Sequence, residues 1–255
     1  MDLKILGCHG GETPKHRTSS FLINDEVAID AGAITSMLSL EEQRRIRAAL
    51  ISHPHLDHIR DLATIADNRC QQGGPPLEII GTPETLRELR RHFFNDRLWP
   101  DFTKIDTKLG PTIIYRPARP ERVIEVCGLS VVPIMVNHTI DTAGFLIDDG
   151  ERVLAYSGDT GPTERLWEVL SDCDRLAGLL MEVSFPNSMR ELAHVSGHLT
   201  PQMLKTELGK LRNHAELPIF LYHIKPVFQA KVEKELARIR KRDLHVLRLG
   251  DQFLL

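Results

Sequence analysis

Ser52-His53-Pro54-His55-Leu56-Asp57-His58 decides how this chain is read. It follows the apolar run Ala49-Leu50-Ile51 and precedes an amphipathic stretch, so it occupies a strand-to-helix loop. His53 and His55, two apart on extended backbone, point to one side and can clamp one metal ion. Asp57 and His58 fall in the turn beyond and can reach a second ion a few ångströms away. Two histidines and a carboxylate leave coordination positions open for water, which is the catalytic type of site. Two ions roughly 3.5–4 Å apart can share a hydroxide and clamp both oxygens of an in-line displacement.

Two such sites need more ligands than the loop holds. Three further segments end an apolar run in a ligand-type residue: Ile134-Met135-Val136-Asn137-His138, Ala155-Tyr156-Ser157-Gly158-Asp159 and Phe220-Leu221-Tyr222-His223. Each alone is a weak signal, because a lone histidine after a strand is more often a hydrogen-bonded loop or core residue. Together they supply the missing ligands at the same end of successive strands.

The rest of the sequence is compatible with one domain over 1–255. The chain has 255 residues, 42% hydrophobic and 26% charged, an ordinary globular composition that excludes a disordered chain. A net charge of -3 lacks the basic surplus of a general nucleic-acid binder. Cys8, Cys70, Cys127 and Cys173 show no CxxC spacing and read as reduced thiols. No apolar run approaches the roughly 20 residues of a membrane helix, and Met1-Asp2-Leu3-Lys4 does not open a signal segment. The expected location is therefore the cytoplasm.

Strands are expected near 2–7, 20–23, 26–30, 49–52, 77–81, 122–126, 129–136, 143–147, 152–157, 177–183, 218–222 and 245–249. Asn24-Asp25 and Asp148-Asp149-Gly150 mark hairpins. Ser39 with Glu42, Thr82-Pro83 and Thr200-Pro201 open helices, and 226–241 reads as an amphipathic helix with a solvated charged face. The stretch 95–121 is the least regular and reads as an insertion or flap.

HxHxDH, a strand-final His, a strand-final Asp and a late strand-final His together resemble the metallo-β-lactamase superfamily of binuclear hydrolases. The resemblance runs from Ile29-Asp30 to His223. It implies a four-layer αββα sandwich. It implies that His53, His55 and His138 bind one metal, that Asp57, His58 and His223 bind a second, and that Asp159 bridges them. Asp30 would be the early aspartate that orients the metal loop. Two divalent ions are expected, zinc by default for this donor set, with manganese or iron as alternatives.

Within that superfamily, His-x-His-Leu-Asp-His-Ile, Glu182-Val183-Ser184-Phe185, Gly197-His198-Leu199-Thr200-Pro201 and His223-Ile224-Lys225-Pro226 are similar to class II cyclic-nucleotide phosphodiesterases. One departure is Asp61, where that class continues with glycine. The resemblance implies hydrolysis of 3′,5′-cyclic AMP or GMP to the 5′-nucleotide, a bridging hydroxide attacking phosphorus. The departing 3′-oxygen needs a proton, and a histidine oriented by a carboxylate is suited to give it. Asp57, Glu182 and His198 are thus the catalytic candidates, with Glu182 orienting His198. Lys225 is a candidate for holding a phosphate oxygen.

The expected partner is a small phosphodiester. No membrane and no strong nucleic-acid signal is expected, and a homodimer stays open. The rival readings are a tRNA 3′-processing ribonuclease, a lactone or thioester hydrolase, and a non-hydrolytic di-iron protein. The last commonly replaces the histidine at position 55 with glutamate, so His55 speaks against it.

Overall fold

The computed structural model describes residues 1–240 and 242–255. In chain order the first half supplies β1 (Asp2–Gly7), β2 (Ser20–Ile23), β3 (Val27–Ile29), α1 (Ile34–Met37), α2 (Leu40–Arg45), β4 (Ala48–Leu50), α3 (Leu56–Ile59), α4 (Leu62–Gln72), β5 (Leu77–Gly81), α5 (Pro83–Glu88), the small hairpin β6 (Asp106–Thr107) and β7 (Gly110–Pro111), and β8 (Ile113–Pro117). The second half supplies β9 (Ile124–Val126), β10 (Leu129–Met135), β11 (Ala143–Asp148), β12 (Val153–Tyr156), α6 (Arg165–Ser171), β13 (Leu176–Glu182), α7 (Arg190–Val195), α8 (Pro201–Leu208), β14 (Pro218–Tyr222), α9 (Gln229–Leu236), β15 (Asp243–Val246) and β16 (Gln252–Leu254).

The strands form two seven-stranded sheets, ordered β16-β1-β2-β3-β4-β5-β8 and β15-β14-β13-β12-β11-β10-β9. Each is antiparallel on one side and parallel on the other, the parallel part starting at β3–β4 and at β12–β13. Side-chain alternation explains the layering. In β14, Phe220 and Tyr222 enter the core between the sheets, while Ile219 and Leu221 enter a second core under α6, α8 and α9. Both faces of the strand are covered, so its sequence is a continuous apolar run. A third core, with Ile34, Ile65 and Leu86, lies between the first sheet and α1–α5. The architecture is the expected αββα sandwich.

Local signals held where the chemistry is explicit. Ser39 and Glu42 form a reciprocal capping box on α2. Thr82 and Thr200 each accept the N–H three residues on, with proline next to the cap. Asn24 and Asp25 take the left-handed conformation that a tight hairpin requires.

Three expectations need correction. The stretch 95–121 is not wholly a flap: β8 lies in it and pairs parallel to β5. As a sheet edge, it tolerates Pro117 and half-exposed side chains. The run 226–241 is helical only over Gln229–Leu236, after a tight turn at Pro226–Phe228; position 241 lies outside the described residues. The closing strand β16 was not expected, and it pairs with β1 across the whole chain length.

Candidate metal centre

The site forms where strands of both sheets end. Asp30 follows β3, His53 and His55 follow β4, His138 follows β10, Asp159 follows β12 and His223 follows β14. Asp57 and His58 occupy the first turn of α3. Asp30 (φ 53°) and His223 (φ 69°) both adopt left-handed backbone, uncommon outside glycine, which turns each side chain back into the site.

Hydrogen bonds fix which nitrogen each histidine presents. Asp30 Oδ1 accepts from the Ser52 N–H at 2.8 Å. Its Oδ2 accepts from Ser52 Oγ at 2.8 Å, His58 Nδ1 at 2.6 Å and the Tyr156 hydroxyl at 2.5 Å. With its proton given to Asp30, Ser52 Oγ can only accept from His53 Nδ1, 2.9 Å away. His53 and His58 therefore both keep Nε2 for the centre. His138 Nδ1 donates to Gly197 O at 2.8 Å. Gly197 has φ 66°, and a Cβ there would stand 2.8 Å from that nitrogen, so only glycine fits. His223 Nδ1 donates to Ser184 Oγ at 2.8 Å, because Ser184 gives its own proton to Glu182 Oε2 at 3.0 Å. His55 is the exception and turns Nδ1 inward.

Lone pairs then meet lone pairs. His55 Nδ1 lies 3.0 Å from His53 Nε2 and 3.3 Å from His138 Nε2. Asp159 Oδ2 lies 3.2 Å from both His58 Nε2 and His223 Nε2, and 3.9 Å from His53 Nε2. Asp57 Oδ2 is 3.4 Å from His223 Nε2. His58 Nε2 and Asp159 Oδ1 are buried without any hydrogen-bond partner. Such a knot of buried, converging acceptors is costly unless cations occupy it. The donor set fits the implied metals: His53, His55 and His138 form one group, and Asp57, His58 and His223 another. Each histidine of these two groups other than His55 also carries the outer hydrogen bond typical of a metal ligand.

Charges respond accordingly. Burial, then the positive ends of neighbouring histidines, hold His53 well below the ordinary histidine pKa. Burial opposes charge on His58 too, but Asp159 and Asp30 raise it well above that value. Burial and then Asp159 push the Glu182 carboxyl up to about 8.

The remaining candidates surround this cluster. His198 Nδ1 is 3.3 Å from Glu182 Oε1, but the pair lacks hydrogen-bond geometry, and Nδ1 has no partner. Glu182 Oε1 instead accepts from the Leu199 N–H at 3.0 Å. Burial lowers the His198 pKa, and the Lys225 charge lowers those of both His198 and His223. The Lys225 side chain and the His223 ring both flank Gly10, where a Cβ would stand 2.9 Å from Lys225 Cδ and 3.0 Å from His223 Nδ1. Asp61 is buried at 5% exposure and accepts from the Thr35 N–H at 2.7 Å, fastening α1 to the metal loop. Sequence reading missed Ser52, Ser184 and Tyr156. The serines sit one residue before His53 and two after Glu182, a signal that was present; Tyr156 looked like ordinary core.

The family model described as a β-lactamase superfamily domain matches residues 29–219. A 3′,5′-cyclic-nucleotide phosphodiesterase of Aliivibrio fischeri is 28% identical over 100% of this chain and 90% of its own length. The unliganded yeast PDE1 structure superposes with a TM-score of 0.81 at 21% identity, covering 98% of this chain and 96% of that one. The short-form human tRNase Z structure gives a TM-score of 0.73 at 19% identity, covering 100% and 99%. At those identities the two structures establish the fold alone. With most of its length inside the family match and the histidine–aspartate cluster at its centre, the chain belongs to the β-lactamase superfamily of metallo-hydrolases.

Proposed function

We propose that the protein hydrolyses 3′,5′-cyclic nucleotides to 5′-nucleotides. The hydrolytic chemistry is supported by the converging His and Asp cluster. The observation that carries the substrate is the 28% match to the Aliivibrio fischeri phosphodiesterase along the full chain.

His53, His55 and His138 would hold one divalent ion and Asp57, His58 and His223 a second, with Asp159 shared. Ions bound there would supply Lewis acidity toward the phosphoryl oxygens and an acidified water at neutral pH, zinc being the default for these donors. The protein contributes orientation. Asp30 holds two of the imidazoles, His58 directly and His53 through Ser52, and Glu182, through Ser184, holds a third. Lys225 offers a compact positive charge to a phosphoryl oxygen. His198 presents Nδ1 toward Glu182, which leaves Nε2 to protonate the departing 3′-oxygen. Glu182 stands 3.3 Å from His198 Nδ1 and holds His223 by a bonded chain through Ser184.

The test is hydrolysis of cyclic AMP and cyclic GMP by metal-replete protein, with product identified by chromatography. Conversion to the 5′-nucleotide that chelator abolishes, and that His55→Ala lowers by about 100-fold or more, is expected. A protein that carries its metals yet leaves both nucleotides intact, while cleaving precursor tRNA or a lactone, would replace this reading. His198→Ala should retain metal and lose turnover; retained turnover removes the acid role.

A further inference from the structure

The helix on one flank of the cluster is not α-helical throughout. After α5 the chain opens into a π turn, Leu89–Phe93, in which the Phe94 N–H donates to Leu89 O, five residues back, at 2.8 Å. Such turns are rare and recur at functional sites. This one walls a cavity of about 320 Å³, and His55 lines the same cavity. That volume is at the lower end of small-molecule sites.

The lining is mostly apolar. Leu56, Leu89, Phe93 and Ile140 contribute, and Leu56 is 63% exposed despite standing beside a buried centre. Two polar side chains join them, Glu88 and His92, with Glu88 Oε2 3.4 Å from His92 Nε2. His55 belongs to both the cavity and the metal cluster. A phosphate seated at the cluster therefore has an apolar slot beside it, walled by Leu56, Ile140 and Phe93 and edged by the His92 imidazole, a lining on which the flat face of a nucleobase can pack.

Glu88 then discriminates between bases. A carboxylate only accepts hydrogen bonds. The Watson–Crick edge of guanine offers two adjacent donors, N1–H and the 2-amino group, matched by two carboxylate oxygens. The edge of adenine offers one donor beside a lone pair, which a carboxylate repels. We propose that this cavity is the base slot of the substrate and that Glu88 selects guanine over adenine. The proposal rests on the cyclic-nucleotide reading above.

The experiment measures kcat/KM for cyclic GMP and cyclic AMP with wild-type protein and Glu88→Gln. Wild type should favour cyclic GMP. A glutamine amide offers one acceptor and one donor and so suits adenine. Glu88→Gln should therefore lower the cyclic GMP to cyclic AMP ratio about 10–100-fold. A ratio cancels the fraction of active enzyme, so partial misfolding cannot imitate the result. Calorimetric binding of 5′-GMP and 5′-AMP to metal-loaded protein should show the same reversal without turnover. If both nucleotides are hydrolysed and the ratio stays within about twofold, the base slot is wrong and the phosphodiesterase reading stands. If neither is hydrolysed, both fall.

Discussion

Two buried carboxylates reach metal-site histidines through a serine, one from each half of the sandwich, and they are not equivalent. Asp30 takes four hydrogen bonds and serves two histidines, His58 directly and His53 through Ser52. Glu182 serves one, His223 through Ser184, and spends its other oxygen on the Leu199 and Thr160 backbone. Asp30 is fully enclosed by donors. Glu182 faces Asp159, and that repulsion adds to burial in raising its pKa to about 8. The difference teaches that the first-sheet carboxylate is an anchor whose partners depend on it. The second-sheet carboxylate is held against a neighbouring negative charge, so its protonation varies with conditions.

The largest effect that tests this contrast is Asp30→Ala. It strands His58, Ser52 and Tyr156 donors in a site with no exposure. Loss of about 3–5 kcal/mol is expected, read by urea unfolding, together with loss of bound metal in elemental analysis. A variant that unfolds like wild type breaks the anchor description.

Cutting each relay at its serine sharpens the contrast. Ser52→Ala and Ser184→Ala should each weaken metal binding within the range of about 10–100-fold, measured by competition with a chromophoric chelator. Ser52→Ala should lie at the upper end, because the carboxylate it releases also holds His58, whereas the Glu182 chain serves His223 alone. Equal losses would make the two relays interchangeable.

The smallest effect, taken per pH unit, is the dependence of stability on pH. A carboxyl raised from its ordinary 4.5 to about 8 keeps its proton in the folded chain after the unfolded chain has released it. Stability of chelator-treated protein should therefore fall as pH rises between those values, by at most about 1.4 kcal/mol per unit. Glu182→Gln should flatten that slope. Denaturant titrations at several pH values read this directly; a slope that survives Glu182→Gln assigns it elsewhere.

Much of this was legible in the sequence because the signals were local. HxHxDH sits in six residues, and His138, Asp159 and His223 each close an apolar run. The side chains at those positions converge at one end of the sheets, with Asp30 at the end of a short strand beside them. What stayed hidden was set by tertiary contact. Strand β8 is half-exposed and proline-bearing, so its pairing with β5 leaves no alternation to read. The Tyr156 hydroxyl finds Asp30 across 126 residues. The role of Glu182 also shifted: its proximity to His198 was expected, whereas its bonded chain runs through Ser184 to His223.

The π turn at Leu89–Phe93 has an evolutionary consequence. Such a turn is an α-helix carrying one extra residue. Deleting one residue there would restore ordinary winding inside the turn, so the helix keeps its exit while one side chain is lost from the wall of the cavity that His55 also lines. The strands that carry His53, His138, Asp159 and His223 lie elsewhere in the fold and keep their places. The shape of the ground beside the cluster can thus be rewritten by a single-codon deletion, with no substitution inside the cluster itself.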